Sequence, residues 1–172
     1  LGPAKAQGQA AIATQSGRIE LAHPHFLKDL PRLAAAIDEP DQGLLLVSRR
    51  HLRSLNSWMH NIDTLVRGKP RCTLQIHSDD AADLNLVSGD ICEIQSQAGS
   101  ITAPVEVIDG IMPGVVSLPH GWGHDVEDMA LDTARANPGS NVNAVTPAEM
   151  IDIASGNAVL NGIPVKVRRA AV

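Results

Sequence analysis

CTLQIHSDDAADLNLVSGDICEIQSQAGSITAPVEVI, residues 72–108, decides the fold. Cys72 to His77 and Ile91 to Ser96 alternate apolar with polar residues, as half-buried strands do. Between them Ser78 is placed to cap a helix, Asp79 and Asp80 sit favourably in its first turn, and Ala82, Leu84 and Val87 are expected to face inward. Ser88-Gly89-Asp90 then stops that helix. Ala98-Gly99 makes a tight turn, after which Ile101, Ala103, Val105 and Val107 alternate with Thr102, Pro104 and Glu106. A proline within such a run indicates an edge or a bulge.

Outward from this segment the same grammar repeats. Gly43 to Val47 is a continuous apolar run of the kind that makes a fully buried strand. Pro113-Gly114 turns the chain into a strand over Val115 to Leu118, and Ile163 to Val167 reads as the last strand, with Asn161-Gly162 resembling a hairpin turn before it. Val126, Met129, Ala130 and Thr133 share one face of a predicted short helix. Thr146-Pro147-Ala148-Glu149 predicts another, with a capping box and proline at the first helical position. Upstream, Leu1 to Ile12 is small and polar and expected to be loose. Ser16 to Pro24 reads as a short strand, and Leu27, Leu30, Leu33, Ala34 and Ile37 predict a packing helix over 25–37, bent or started late by Pro31. Glu39 to Gly43 reads as a linker, dividing a lead-in, 1–42, from a compact domain, 43–172. Many short strands, short helices and Gly/Pro/Asn turns give a mainly β fold, a barrel or sandwich more than a wound parallel sheet.

Residues 48–71, SRRHLRSLNSWMHNIDTLVRGKPR, carry the functional signal. Arg49, Arg50, Arg53, Arg67, Lys69 and Arg71 face the single Asp63, which gives the stretch +5; with the whole chain at −5, everything else carries −10. Such a local reversal in an acidic protein focuses field where a large anion can dock. A solvated loop with a few caps is the alternative. Two features weigh against it: the stretch follows a predicted buried strand directly, as ligand loops on rigid scaffolds do, and it contains Trp58.

Composition removes several other classes. At 172 residues with 44% apolar content the chain can bury a real core. No apolar run approaches the roughly 20 residues of a membrane-spanning helix, and the start lacks a signal-peptide pattern, so no membrane segment and a cytoplasmic location are expected. The first residue is Leu1, not Met, and the chain is therefore expected to be cut from something longer or processed. Cys72 and Cys92 form no CxxC, and the histidines complete no zinc-finger spacing; both cysteines are expected to be buried as small apolar residues. An acidic chain with one basic stretch and only Phe26, Trp58 and Trp122 as aromatics is a poor nucleic-acid binder.

Five motifs in order, VSRRHLRSLNSWMHN, DDAADLNLVSGDICEIQSQAGSITAPVEV, PGVVSLPHGWGH, PGSNVNAVTP and SGNAVLNGIPVKV, resemble the C-terminal molybdopterin-dinucleotide-binding domain of molybdenum oxidoreductases such as formate dehydrogenases, nitrate reductases and dimethyl sulfoxide reductases. The resemblance covers about residues 43–169. It implies a six-stranded double-psi β-barrel of the aspartate-decarboxylase-like type, and a cofactor in which molybdenum or tungsten is carried by molybdopterin guanine dinucleotide. His77 departs from the proline often found at its position, at a strand end away from the implied site.

Under that resemblance the motifs acquire roles. The guanidinium forks of Arg49, Arg50 and Arg53, with His51, suit pyrophosphate oxygens. Ser54, Asn56, Ser57 and Asn61 suit the pterin and ribose edges. In His120-Gly121-Trp122 the glycine allows close backbone approach to a flat ligand, and His120 or Trp122 can pack on it, although Trp122 reads equally well as a buried turn anchor and His124 as the start of a helix. Asn141 and Asn143 offer donor and acceptor to a pterin edge; Thr146 has a competing role as a helix cap. No catalytic residue and no metal ligand is assigned. The implied partners are the N-terminal catalytic domains of the same enzyme. A different class, a stand-alone double-psi barrel acting as a protein or peptide adaptor, would need an exposed apolar groove and would leave the basic stretch incidental.

Overall fold

Period-two alternation carries most of the architecture. In the computed structural model, which describes residues 8–38 and 43–171, six strands run Leu44–Arg49 (β1), Leu74–His77 (β2), Ile91–Gln95 (β3), Ser100–Ile108 (β4), Val115–Pro119 (β5) and Asn161–Arg169 (β6). They close into a barrel in the order β1-β5-β2-β4-β3-β6. β1 with β5 and β2 with β4 pair in parallel, and the other neighbours are antiparallel. This is the six-stranded double-psi barrel that the motifs implied. Closure gives every strand two neighbouring strands, the long β4 and β6 by changing partner part-way along.

One residue in two points inward. Ile163, Val165 and Val167 of β6 are buried while Pro164, Lys166 and Arg168 are exposed. Leu46, Leu74, Ile76, Ile94, Val116 and Leu118 join them in a single core. Each such side chain contributes about 1.5–3 kcal/mol by leaving water, so a truncation such as Ile94→Ala costs roughly 2–5 kcal/mol. Both cysteines are free and buried, and burial pushes the Cys92 thiol up to about 11.

The chain divides into two compact units, Leu1–Pro40 with Ile153–Ser155, and Asp41–Asp152 with Gly156–Val172. In the first, no strand forms at 16–24. Side chains make local bonds instead, Thr14 Oγ1 donating to the Arg18 carbonyl at 2.6 Å and Ser16 Oγ to the Glu20 carboxylate at 2.9 Å. The expected single helix is two, Pro24–Leu27 (α1) and Leu30–Asp38 (α2), with Pro31 in the first turn of the second; neither buries a residue. The loose start and the linker fall largely on residues 1–7 and 39–42, outside the described residues.

The barrel unit also departs from expectation in places, each for a local reason. β1 is only half-buried apart from Leu46, because barrel curvature leaves one face of a short strand outside. Pro104 is not at an edge: it sits where β4 changes partner, β3 lying opposite Ser100–Pro104 and β2 opposite Val105–Ile108. Asp63–Val66 forms a single turn (α3). Helix Ser78–Asp83 (α4) is capped by His77, whose Nδ1 accepts from the Asp79 amide at 3.1 Å. Ser78 instead donates to Asp109. Asn85, at φ 54, ends this helix well before Ser88, and the Leu86 amide reaches back to Ala81 O at 2.8 Å. That rotation buries Ala81 and Leu86 and leaves Ala82 and Val87 exposed.

Toward the C-terminus, helix Asp132–Ala136 (α5) replaces the one expected around Val126–Thr133. No helix follows Thr146. Its hydroxyl bonds back to Val142 O, closing a 3-10 helix over Val142–Val145, and Met150 O is taken by the Val159 amide beside the bridge between Ile151 and Ala158. Asn161-Gly162 is no hairpin turn: it opens β6 as a bulge opposite Leu46 and Val47, and Asn161 Oδ1 accepts from the Ser48 amide at 2.8 Å. Among the described residues no helix is long and apolar enough to cross a membrane.

Candidate cofactor-binding rim

Parallel pairing of β1 with β5 sets Arg49 opposite Pro119, and the His120 amide bonds Arg49 O at 3.0 Å. The two strands therefore release their chains at the same end of the barrel. The basic stretch and the PHGWGH segment emerge side by side, although far apart in sequence.

Two glycines lock the PHGWGH segment to its neighbours, one to the basic stretch and one to Asn141. A Cβ on Gly121, whose φ is +94, would stand 2.2 Å from Asn56 O; one on Gly123 would stand 2.6 Å from Asn141 Cβ. Only glycine admits either approach. Trp122, between them, is buried with its ring stacked on His60 at a centroid distance of 3.9 Å and an interplanar angle of 25°. It is thus the turn anchor of the two readings, and its Nε1 is the single buried side-chain polar atom without a partner among the described residues.

His60 is the hub beneath the rim. Its Nε2 lies 2.8 Å from Ser54 Oγ and its Nδ1 lies 2.8 Å from His124 Nε2, all three residues being buried. Burial, then the facing His124, pushes the His60 pKa down to about 4, and burial lowers that of His124 as well. Both rings are neutral at physiological pH. Sequence alone marks neither histidine as a site residue; the signal available is a histidine enclosed by Trp58, Met59 and Asn61.

The expected contact residues separate into holders and presenters. Arg49, half-buried, donates to Ser117 O and, at 2.8 Å, to Thr73 O; these donors brace strands, whereas a phosphate fork was the role expected of it. Asn61 Oδ1 accepts from the Thr133 and Ala134 amides, capping α5. Asn141 caps the 3-10 helix through the Asn143 amide. His51 Nδ1 accepts from the Arg53 amide, and burial first, then Arg71, Arg49 and Arg53, lowers its pKa. Arg50, Arg53, Asn56 and Ser57 are exposed. Arg50 donates to Asn56 Oδ1, whereas the Arg53 guanidinium meets neither acceptor nor carboxylate among the described residues. Leu52 and Trp58 are 94% and 79% exposed beside them, and Leu55 and Asn56 hold φ of 43 and 59, a left-handed pair that a non-glycine loop adopts only when its surroundings demand it. His120 is half-buried at the margin. Asn143 lines an open recess with Gln97, Ala98, Thr146 and Glu149, apart from the arginines.

A family model described as Molydopterin dinucleotide binding domain matches residues 44–164. The chain belongs to that family. A tetrathionate reductase subunit of Salmonella typhimurium is 29% identical over 119 residues, 59% of this chain and 12% of that protein. The arsenate respiratory reductase molybdopterin-containing subunit of Chrysiogenes arsenatis is 30% identical over 131 residues, 70% of this chain and 15% of that protein. The chain thus spans only 12% to 15% of the length of these relatives. Acetylene hydratase from Pelobacter acetylenicus has the same fold, with a TM-score of 0.70 and 21% identity over 92% of this chain and 24% of that one.

The residues of this molybdopterin-dinucleotide-binding domain fit the group it is named for. Pyrophosphate calls for planar cationic donors in the open, and Arg50 and Arg53 are so placed. A pterin edge calls for mixed donors and acceptors beside a flat apolar surface, and Asn56, Ser57 and Trp58 supply both. Among the described residues no three His, Cys, Asp or Glu side chains gather as a metal site.

Proposed function

We propose that the domain closes over molybdopterin guanine dinucleotide in a larger molybdenum or tungsten oxidoreductase, of the class that includes formate dehydrogenases and nitrate reductases. Residues 43–172 are the binding domain and 1–42 its lead-in; the N-terminal catalytic domains of the same enzyme are its partners. When bound, the metal and its dithiolene supply the redox chemistry. This chain's residues position and screen. Arg50 and Arg53 meet pyrophosphate oxygens, Asn56 and Ser57 meet ring and ribose edges, Trp58 lies against a flat face, and His51 and His120 bound the rim. Arg49, Ser54, Asn61, Gly121, Trp122 and Asn141 hold those groups in place, while Asn143 offers an amide from the neighbouring recess.

One observation carries the reading: three polar segments far apart in sequence converge on one barrel end and leave there the Arg53 guanidinium, unpaired among the described residues. An NMR titration of the chain with guanosine diphosphate tests it. Resonances of residues 50–58 and 120–121 should move, less so in high salt because the contact is charge-dependent, and less in Arg53→Ala. A titration that moves none of them overturns the proposal.

A further inference from the structure

We infer that His60 is the positioning residue of the rim: joined to Ser54 and His124 and stacked on Trp122, it holds segment 50–58 in the conformation that meets the dinucleotide. The inference rests on the binding reading above and adds to it a residue and a dependence on pH.

The contacts of His60 reach every part of the rim. Ser54 lies at the centre of the basic loop, its amide bonded to His51 O and its carbonyl to the Met59 amide, both at 3.1 Å. Through His124, whose amide bonds Pro138 O at 3.0 Å, the ring is tied to the segment that carries Asn141. Through Trp122 it is tied to the glycine corner. A serine hydroxyl can donate or accept, so either neutral tautomer of His60 satisfies both ring nitrogens.

A protonated ring is favoured only by its bond to the Gly121 backbone, which burial and the facing His124 outweigh. The titratable side chains that act on His60 are His51 and His124, and Asp125 acts on His124 alone. A buried imidazolium with no carboxylate against it is costly. Protonation therefore favours the state in which the ring leaves its pocket, and with it the ordered loop.

Amide hydrogen exchange in the chain, corrected for the intrinsic pH dependence, reads this directly at Met59 and His60, whose amides close the loop. Protection of these two amides should fall on the order of tenfold between about pH 7 and about pH 5. In His60→Gln, which can still accept and donate but cannot be protonated, protection should be retained and the acid step lost. In Ser54→Ala protection should be lower at both values. A wild-type profile that is flat, or an acid step that survives in His60→Gln, overturns the inference. His124→Gln is the second variant should His60→Gln fail to fold: the acid step must then persist, because it belongs to His60. Nucleotide is absent throughout, so a failed guanosine diphosphate titration would strike the binding proposal while exchange decides the positioning role. Should guanosine diphosphate bind wild type, affinity unchanged in Ser54→Ala would also overturn it.

Discussion

The rim and the β3–β6 wall both carry arginines, and they treat them in opposite ways. On the wall every outward guanidinium described meets a carboxylate. Arg168 pairs with Glu93 directly across the strands at 2.7 Å, and Arg169 pairs with Asp90 at 2.6 Å. On the rim Arg49 is spent on strand carbonyls, Arg50 on an amide, and Arg53 on nothing among the described residues. Cation count alone does not separate the two regions, since a paired arginine adds little field outside itself. Absence of a carboxylate partner does, because only an uncompensated charge projects toward an arriving anion.

Breaking the rim mechanically should have the largest effect. In Gly121→Ala the new Cβ meets Asn56 O at a residue whose φ is +94, and a backbone collision of this kind should cost about 3 kcal/mol or more in urea unfolding. Acid should come next. The His60 pKa is lower in the folded chain than its ordinary 6.5, at about 4, so the unfolded chain binds the extra proton. Stability is then complete above pH 6.5 and falls progressively as pH drops toward 4, by about 3 kcal/mol in total; His60→Gln should flatten that slope. Arg49→Ala leaves Ser117 O and Thr73 O short of a donor and should cost about 2 kcal/mol, in contrast to its neighbours Arg50 and Arg53, whose loss should leave the melting temperature almost unchanged.

Sequence disclosed the barrel and the rim by different routes, and failed where local signals compete with tertiary ones. Alternation at Cys72–His77, Ile91–Ser96 and Ile101–Val107 was enough for the strands, because a two-residue period has one structural meaning. The Ala98-Gly99 turn was legible for the same reason: nothing else competes for those residues. Thr146-Pro147-Ala148-Glu149 has every mark of a helix start, yet the Val159 amide takes Met150 O, and a capping box has no means of announcing such a distant claimant. His77 looked like the end of a strand, and a ring nitrogen that caps α4 leaves no spacing signature. Arg49 was indistinguishable from Arg50 and Arg53 in a run of cations. Which of them bonds strand carbonyls is fixed by β1 twisting against β5, and that pairing is not written in the neighbouring residues.

Removing one arginine from each region gives the smallest and most discriminating test. Arg53→Ala should weaken guanosine diphosphate binding about tenfold, equivalent to about 1.4 kcal/mol, with stability unchanged within about 0.5 kcal/mol, and isothermal titration with parallel thermal melts reads both. Arg168→Ala removes the same formal charge from the wall. Its pair with Glu93 joins an arginine side chain 69% exposed to a carboxylate side chain 22% exposed, and an ion pair reached by solvent contributes about 1 kcal/mol or less. Affinity for the nucleotide should be untouched, because the charge removed was already balanced by its partner. Equal losses of affinity in the two variants would mean that overall charge attracts the nucleotide, and the distinction between a compensated wall and an uncompensated rim would collapse.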